Sequence, residues 1–283
     1  MSSTTATLAT AGALIAGLLV TGASSAAGAT VPAATTADAS PASTPASTGK
    51  GGDWNMQKRF AREVVRYGDE DSSPRRIEHV TELQYRLRWV GAFNGPVTGY
   101  FGDLTKAAVR RFQHRVGLHV NGIANHKTWA KLIPRTVKAR PLIHNKCKDG
   151  IGWHICYDRY RHQVTLWKKG NLRNSWLVRG GKRGYETRVG TFRVYMRDKD
   201  HVSGIYGTAM PYSQFFSGGQ AFHGSPFMID PWQDHSHGCV NMYIEDARQL
   251  WSMTSRVNLN VHIYGKWDRM AGPGVGTRSL DLM

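Results

Sequence analysis

Two stretches decide the reading of this chain: Phe222-His-Gly-Ser-Pro226 and, nine residues on, His235-Ser-His-Gly-Cys-Val-Asn-Met242. A thiol is a nucleophile only as thiolate, so Cys239 requires a base or cation beside it. Histidine titrates in the working range, and His223 is the expected partner: it takes the thiol proton and returns it to a leaving amine. Gly238 permits a sharp turn that aims the N–H groups of His237, Gly238 and Cys239 at a developing oxyanion. Ser236 or a neighbouring carbonyl is expected to orient the imidazole. This is acyl transfer, and it calls for no metal and no cofactor. A zinc reading competes for His223, His235, His237 and Cys239, with Asp230 and Asp234 nearby. Positions 235, 237 and 239, read as one strand face, do not have a structural-zinc spacing, so the nucleophile reading is preferred to it and to an inert core.

Outward from these residues the pattern is short β-prone runs. Ile155–Tyr157, Val164–Trp167, Ser175–Val178 and Gly190–Tyr195 are separated by Asp-Arg, Lys-Gly and Gly-Gly turns, and Asn258–Tyr264 reads as a closing strand. One helix is predicted over Ile244–Thr254, where Ile244, Ala247, Leu250 and Trp251 share a face. A mainly-β domain of the sandwich or barrel kind follows, over residues 140–265.

Towards the N-terminus the period changes. Ile77, Val80, Leu83, Leu87 and Val90 recur at three or four, the face of an amphipathic helix. Asp103 is the expected cap of a second helix carrying Ala107, Ala108, Phe112 and Val116, and Asn125 of a third carrying Trp129 and Leu132. Thr98–Thr105 is echoed by Asn121–Thr128 at an offset of 23 residues. A small helical domain over 75–134 is predicted, with a further helical lead-in over 53–74 from the spacing of Phe60, Val64 and Tyr67.

The 283 residues carry 37 Lys and Arg against 20 Asp and Glu, a net charge of +17. Residues 1–49 hold no Lys or Arg and one acid, Asp38, so the basicity lies downstream. Ala11–Val20 is an apolar run of ten, short of the ~18 that a membrane span needs, and reads as the core of a secretory signal. Ala27-Gly-Ala29 fits its cleavage site, giving a leader over 1–29, a Thr/Ala/Ser/Pro-rich linker over 30–52 and a flexible tail over 266–283. In an oxidising compartment Cys147 and Cys156, flanking the turn-rich Asp149–Gly152, are expected to pair as a disulfide and leave Cys239 as the odd thiol; three buried, inert cysteines are the alternative. The charge calls for an anionic partner. Dispersed runs such as Arg110-Arg111 and Lys168-Lys169 read as solvated faces, and nucleic acid is set aside for an exported chain.

Two resemblances sharpen this. Leu83-Gln84, Leu87, Gly99-Tyr-Phe-Gly102, Thr105, Ala108-Val109, Phe112-Gln113, Gly117-Leu118, Asn121-Gly122, Thr128-Trp129 and Leu132 resemble the peptidoglycan-binding domain 1 family, a three-helix module, with Thr98 and Asn121 where that family has Asp. His223-Gly-Ser and, with twelve residues separating His223 from Ser236, the run Ser236-x-Gly-Cys-hydrophobic-Asn resemble the active-site signature of the YkuD-like L,D-transpeptidases. Thr187-Arg-Val-Gly190-Thr-Phe192, with Arg188 for a proline, and Met210-Pro-Tyr212, Phe216, Gly219 extend that match. The resemblance implies a multidomain α+β enzyme, secreted and cell-wall associated, binding peptidoglycan stem peptides, glycan and anionic wall polymers. Cys239 would attack the third residue of a donor tetrapeptide and release D-alanine, with His223 as base then acid. The acyl group would pass to a diamino acid, forming a 3→3 cross-link. Gly224, Ser225, Asn241 and Tyr212 would contact substrate. Water as acceptor would make the enzyme an L,D-carboxypeptidase, and a non-catalytic wall-binding protein is the rival of another class.

Overall fold

The computed structural model describes residues 55–138, 145–148 and 150–266. The expected leader, most of the linker and nearly all of the tail fall outside the described residues. Three helices come first: α1 (Val80–Trp89), α2 (Asp103–Arg115) and α3 (His126–Lys138), followed by one turn, α4 (Asn145–Lys148). Apolar spacing explains them, since Leu83, Leu87, Val109, Phe112, Trp129, Leu132 and Ile133 all turn inward and are buried. Asn125 caps α3, its Oδ1 accepting Lys127 N at 3.0 Å and Thr128 N at 3.2 Å. Asp103 does not cap α2: it is the first helical residue, and Gly102 holds the cap position.

The lead-in is not helical. Between 55 and 79 the chain runs in turns and isolated bridges, one joining Val65 to Ala124. Phe60 has φ 59°, and Val64 and Tyr67 are exposed while Phe60 and Val65 are buried, so the 60/64/67 spacing marks no common face. This segment instead supplies the polar groups that the helices lack. Residue His79, at the α1 N-cap, makes no side-chain cap; Asp71 does so from eight residues upstream, accepting the N–H groups of Glu78, Val80 and Thr81.

Two sheets follow. The first has the order β3 (Asn171–Leu177), β2 (Gln163–Lys168), β1 (Trp153–Asp158), β9 (Leu259–Tyr264), β4 (Gly190–Arg193), with β1 and β9 parallel. The second has the order β5 (Met196–Val202), β6 (Ala209–Ser217), β7 (Gln220–Gly224), β8 (Val240–Met242), with β7 and β8 parallel. The helix α5 (Ile244–Thr254) packs on β6 and β7. Alternation along each strand sorts side chains between two cores. Ile155 and Tyr157 face the second sheet, with Phe222, Val240 and Met242; Cys156 between them joins the core of the helical module, with Trp167 and Leu172. Cys147 and Cys156 form a disulfide there.

A buried ionic cluster fastens the module to the sheets. Glu82 on α1 accepts Arg62 Nε at 2.9 Å and Arg86 Nε at 2.6 Å, and both guanidiniums also donate to the carbonyl of Ser175 on β3. Against the upward push of burial, these two cations hold the Glu82 carboxyl down at about 2. His79 donates to Glu63 at 2.5 Å and to Asp246 on α5 at 3.1 Å; burial opposes its charge, but the two carboxylates raise it well above its ordinary value. Three cations, Arg62, Arg86 and protonated His79, thereby face three acids, Glu63, Glu82 and Asp246. His79, Glu82 and Asp246 have the types and spacing of a metal triad, yet Arg62 Nε lies 2.9 Å from Glu82 and 3.6 Å from Asp246. The guanidinium supplies the positive charge.

Candidate active site

The parallel pairing of β7 with β8 aligns Phe222 with Val240 and His223 with Asn241. Because successive side chains point to opposite faces, Phe222, Val240 and Met242 enter the inter-sheet core. His223 leaves on the other face, as does Cys239, one residue before β8, which packs with Ala221. The sequence-predicted pair thus shares one face of adjoining segments. His223 is buried, and its Nδ1–H donates to Gly224 O at 2.8 Å, which leaves Nε2 as the basic nitrogen; the Asn241 side chain also bonds the ring and favours its charge. Burial, reinforced by the charges of Arg179 and His201, lowers its pKa to about 4. Cys239 is half-buried, with its thiol donating to Gly219 O at 3.7 Å; crowding around the sulfur pushes its pKa up, opposed by the Ala221 N–H. At rest the pair is a neutral thiol beside a neutral imidazole.

The turn before Cys239 is built by Ser236. Its Oγ donates to Cys239 O at 2.6 Å and accepts Gly238 N–H at 3.0 Å. The expected roles shift accordingly. A neighbouring carbonyl, that of Gly224, orients the imidazole, while Ser236 shapes the loop. The Gly238 N–H is already engaged, so the His237 and Cys239 N–H groups are the turn's donors with no acceptor among the described residues. Gly238 has φ 122°, and a Cβ there would come 2.4 Å from Gln220 Nε2. Behind it lies Gly181, whose Cβ would meet Tyr185 O at 2.0 Å and Gly238 Cα at 2.9 Å. Lys182 N donates to Ser236 O, and Ser236 N to Gly180 O, so the Gly180-Gly181 doublet is the floor of the turn.

The other expected residues are held by packing or by backbone pairing. His235, His237 and Cys239 are not alternate positions of a strand, and their side chains part. His235 stacks on His162 with centroids 5.0 Å apart, and His237 lies between Tyr185 and Tyr206, each at 5.0 Å. Tyr212 packs against Trp251 of α5 and the inter-sheet core, on the far side from Cys239. Ser225 is buried, its N–H on Met242 O, and Gly224 is wedged against Ile244 and Pro211. Asn241 exchanges both backbone hydrogen bonds with Arg179. Arg188 uses its N–H, which a proline lacks, to donate to Gln220 Oε1 at 2.9 Å.

Arg179 was not visible in the sequence. It is buried, and its Nη1 donates to the carbonyls of Phe227 and Gln233 at 3.4 and 3.1 Å, clamping the loop between His223 and Cys239. Tyr185 and Tyr206 were likewise missed, being aromatic residues in loops without periodicity. The Gly-Gly doublet was the one local signal for this region.

Residues 152–274 match the model of the L,D-transpeptidase catalytic domain (YkuD), and residues 76–132 that of a putative peptidoglycan binding domain. The chain carries an L,D-transpeptidase catalytic domain. A spore cortex-lytic enzyme of Oceanobacillus iheyensis is 43% identical over 56 residues, 20% of this chain and 20% of that protein. One of Bacillus cereus is 39% identical over 77 residues, 27% of each. The chain thus spans about a quarter or less of these relatives' length. Among solved structures, an L,D-transpeptidase from Stackebrandtia nassauensis is 22% identical over 75% of this chain and 98% of that one, with a TM-score of 0.46. One from Xylanimonas cellulosilytica is 25% identical over 72% and 98%, with a TM-score of 0.41. Among the described residues of the L,D-transpeptidase domain and its neighbour, no helix is long and apolar enough to cross a membrane.

Proposed function

We propose that the protein is an exported, cysteine-dependent peptidoglycan L,D-transpeptidase that forms 3→3 cross-links. One observation carries this reading: His223 and Cys239 stand on one face of adjoining segments, with His223 Nδ1 anchored on the Gly224 carbonyl and Nε2 the basic nitrogen. Nε2 takes the Cys239 proton as the thiolate attacks the carbonyl carbon of the third stem residue. The His237 and Cys239 N–H groups steady the oxyanion. The C–N bond to the terminal D-alanine breaks, the imidazolium returns its proton to the leaving amine, and a thioester remains on Cys239. The side-chain amine of a diamino acid in a second stem then attacks; its proton passes to His223 and on to the departing thiolate. A resting thiol–imidazole pair suits this order, because charge arises only when substrate is present. Export agrees with the disulfide between Cys147 and Cys156, a bond of oxidising compartments. The basic chain then meets anionic wall polymers.

Incubating the protein with a disaccharide tetrapeptide tests the reading. D-alanine release with dimer formation supports it. D-alanine release with tripeptide alone makes it an L,D-carboxypeptidase, and no release at all leaves a wall-binding protein.

A further inference from the structure

Residues 104–138 contain eight Lys and Arg and no Asp or Glu, in a chain whose net charge is +17. With Asp103 counted, +7 of the +17, about two-fifths, sits on α2, α3 and the turn between them. The cations form rows. Lys106 and Arg110 on α2 stand four residues apart; Lys127, Lys131 and Arg135 on α3 continue the same step, and all five are exposed. That step is ~6 Å along a helix, and like charges so placed repel and weaken the helix. Asp103, the first residue of α2, stands three residues before Lys106, and none of the ion pairs among the described residues involves these five cations. The turn that opens α3 lies against the α2 row. A Cβ on Gly122, in the turn that opens α3, would lie 3.0 Å from Lys106 Cγ and 3.2 Å from Arg110 Cγ. The opposite faces of both helices are buried through Phe112, Trp129 and Leu132, so the cations lie on the solvent side, with Lys106 Nζ 5.5 Å from the centre of the Tyr67 ring.

We propose that this face of α2 and α3 is a docking surface for a linear polyanion of phosphodiester-linked units. A single small anion needs donors that converge, whereas these cations are strung along two helices of 13 residues each, ~20 Å long. An array of separate cations suits a chain that presents one charge after another. Two of the five are arginines, whose forked donors match phosphate oxygens. A bilayer is disfavoured: the exposed apolar residues nearby, Tyr67, Tyr100 and Leu104, lie at the start of α2 and form no row for insertion. The location of this polymer in the wall rests on the function proposed above; the binding itself does not.

The test is binding of poly(glycerol phosphate) to the full chain across a salt series. The variant Lys106→Gln, Arg110→Gln, Lys127→Gln, Lys131→Gln, Arg135→Gln is compared with an equal charge change at Lys168, Lys169, Arg183, Arg193 and Lys199. The α2/α3 variant is expected to lose at least ~10-fold in affinity, with the slope of log K against log salt falling by ~3, while the second variant changes little. Its melting temperature is expected to hold or rise, since repulsion is removed. Equal losses in both variants would reduce the effect to net charge and overturn the proposal, as would no loss in either. Tighter binding of anionic vesicles or of single-stranded nucleic acid than of the polymer would overturn it as well. None of these readouts depends on D-alanine release, so a failure here is separable from a failure of the proposed reaction.

Discussion

The hydroxyl of Tyr85, on helix α1 of the binding module, lies 3.0 Å from both carboxylate oxygens of Asp230, in the loop between His223 and Cys239. The same ring packs 4.2 Å from that of Trp232, and Asp230 also accepts the Trp232 N–H at 2.9 Å. Tyr243 adds a bond to Ile229 O at 2.7 Å while its ring meets His79 edge-on. The module therefore braces the loop that delivers the nucleophile.

Tyr85→Phe keeps the ring and removes the bond to the carboxylate. It is expected to destabilise the protein by ~1.5–3 kcal/mol and to speed hydrogen exchange across residues 225–235. The exposed Arg115, whose guanidinium reaches only the end of α1 at Val90 and Gly91, is the control: Arg115→Ala should leave exchange in that loop unchanged. Equal exchange in both variants would contradict the brace.

Arg62 is the centre of the interface. Arg62→Ala takes from the buried carboxylates of Glu82 and Asp246 a cation that they share, leaving Arg86 on Glu82 and His79 on Asp246, and is expected to cost ~3–5 kcal/mol in urea unfolding. A loss below ~1 kcal/mol, the range of surface ion pairs, would show that the cluster is hydrated in solution.

Gly181→Ala places a methyl where Tyr185 O and Gly238 Cα stand. D-alanine release is expected to drop by at least ~100-fold, because a shift of ~1 Å in the reacting atoms has that effect. The far-ultraviolet spectrum should be unchanged. Wild-type release from this variant would show that the floor of the turn yields freely.

Two of the buried histidines, His79 and His223, respond to pH with opposite signs. The His223 pKa is depressed to about 4, so its contribution is complete above the ordinary value near 6.5 and is lost as pH falls through the interval down to 4. The gap corresponds to ~3 kcal/mol. The His79 value is raised, so its contribution is complete below 6.5 and is lost as pH rises through the elevated value. Urea midpoints measured from pH 4 to 9 should lose their acid slope in His223→Gln and their alkaline slope in His79→Gln. Slopes that persist in both variants would refute this assignment.

The parts of this molecule that were legible in the sequence are those governed by periodicity or by compact motifs. Leu83, Leu87, Phe112 and Trp129 announced their helices by spacing, Ile244–Thr254 was read to the residue, and Cys239 with His223 stood out by residue type. The illegible parts depend on long-range partners. Arg62, Glu82 and Arg86 carry no local signal of burial, because the Ser175 carbonyl and Asp246 that bury them are some 90–185 residues away. Phe60 to Tyr67 mimicked a helix because three apolar residues fell at helical intervals by chance, while Val65 was committed to Ala124. Tyr212 shares its sequence neighbourhood with the site, but at φ 61° it turns to α5 instead.

The central claim is that Cys239 carries the acyl group. Intact-protein mass spectrometry after a rapid acid quench, with tetrapeptide donor and no acceptor, tests it most directly. The account predicts a mass gain equal to the donor less D-alanine, mapped by digestion to the peptide containing Cys239, and absent in Cys239→Ala. Release of D-alanine by Cys239→Ala, or an adduct on any other residue, would contradict it.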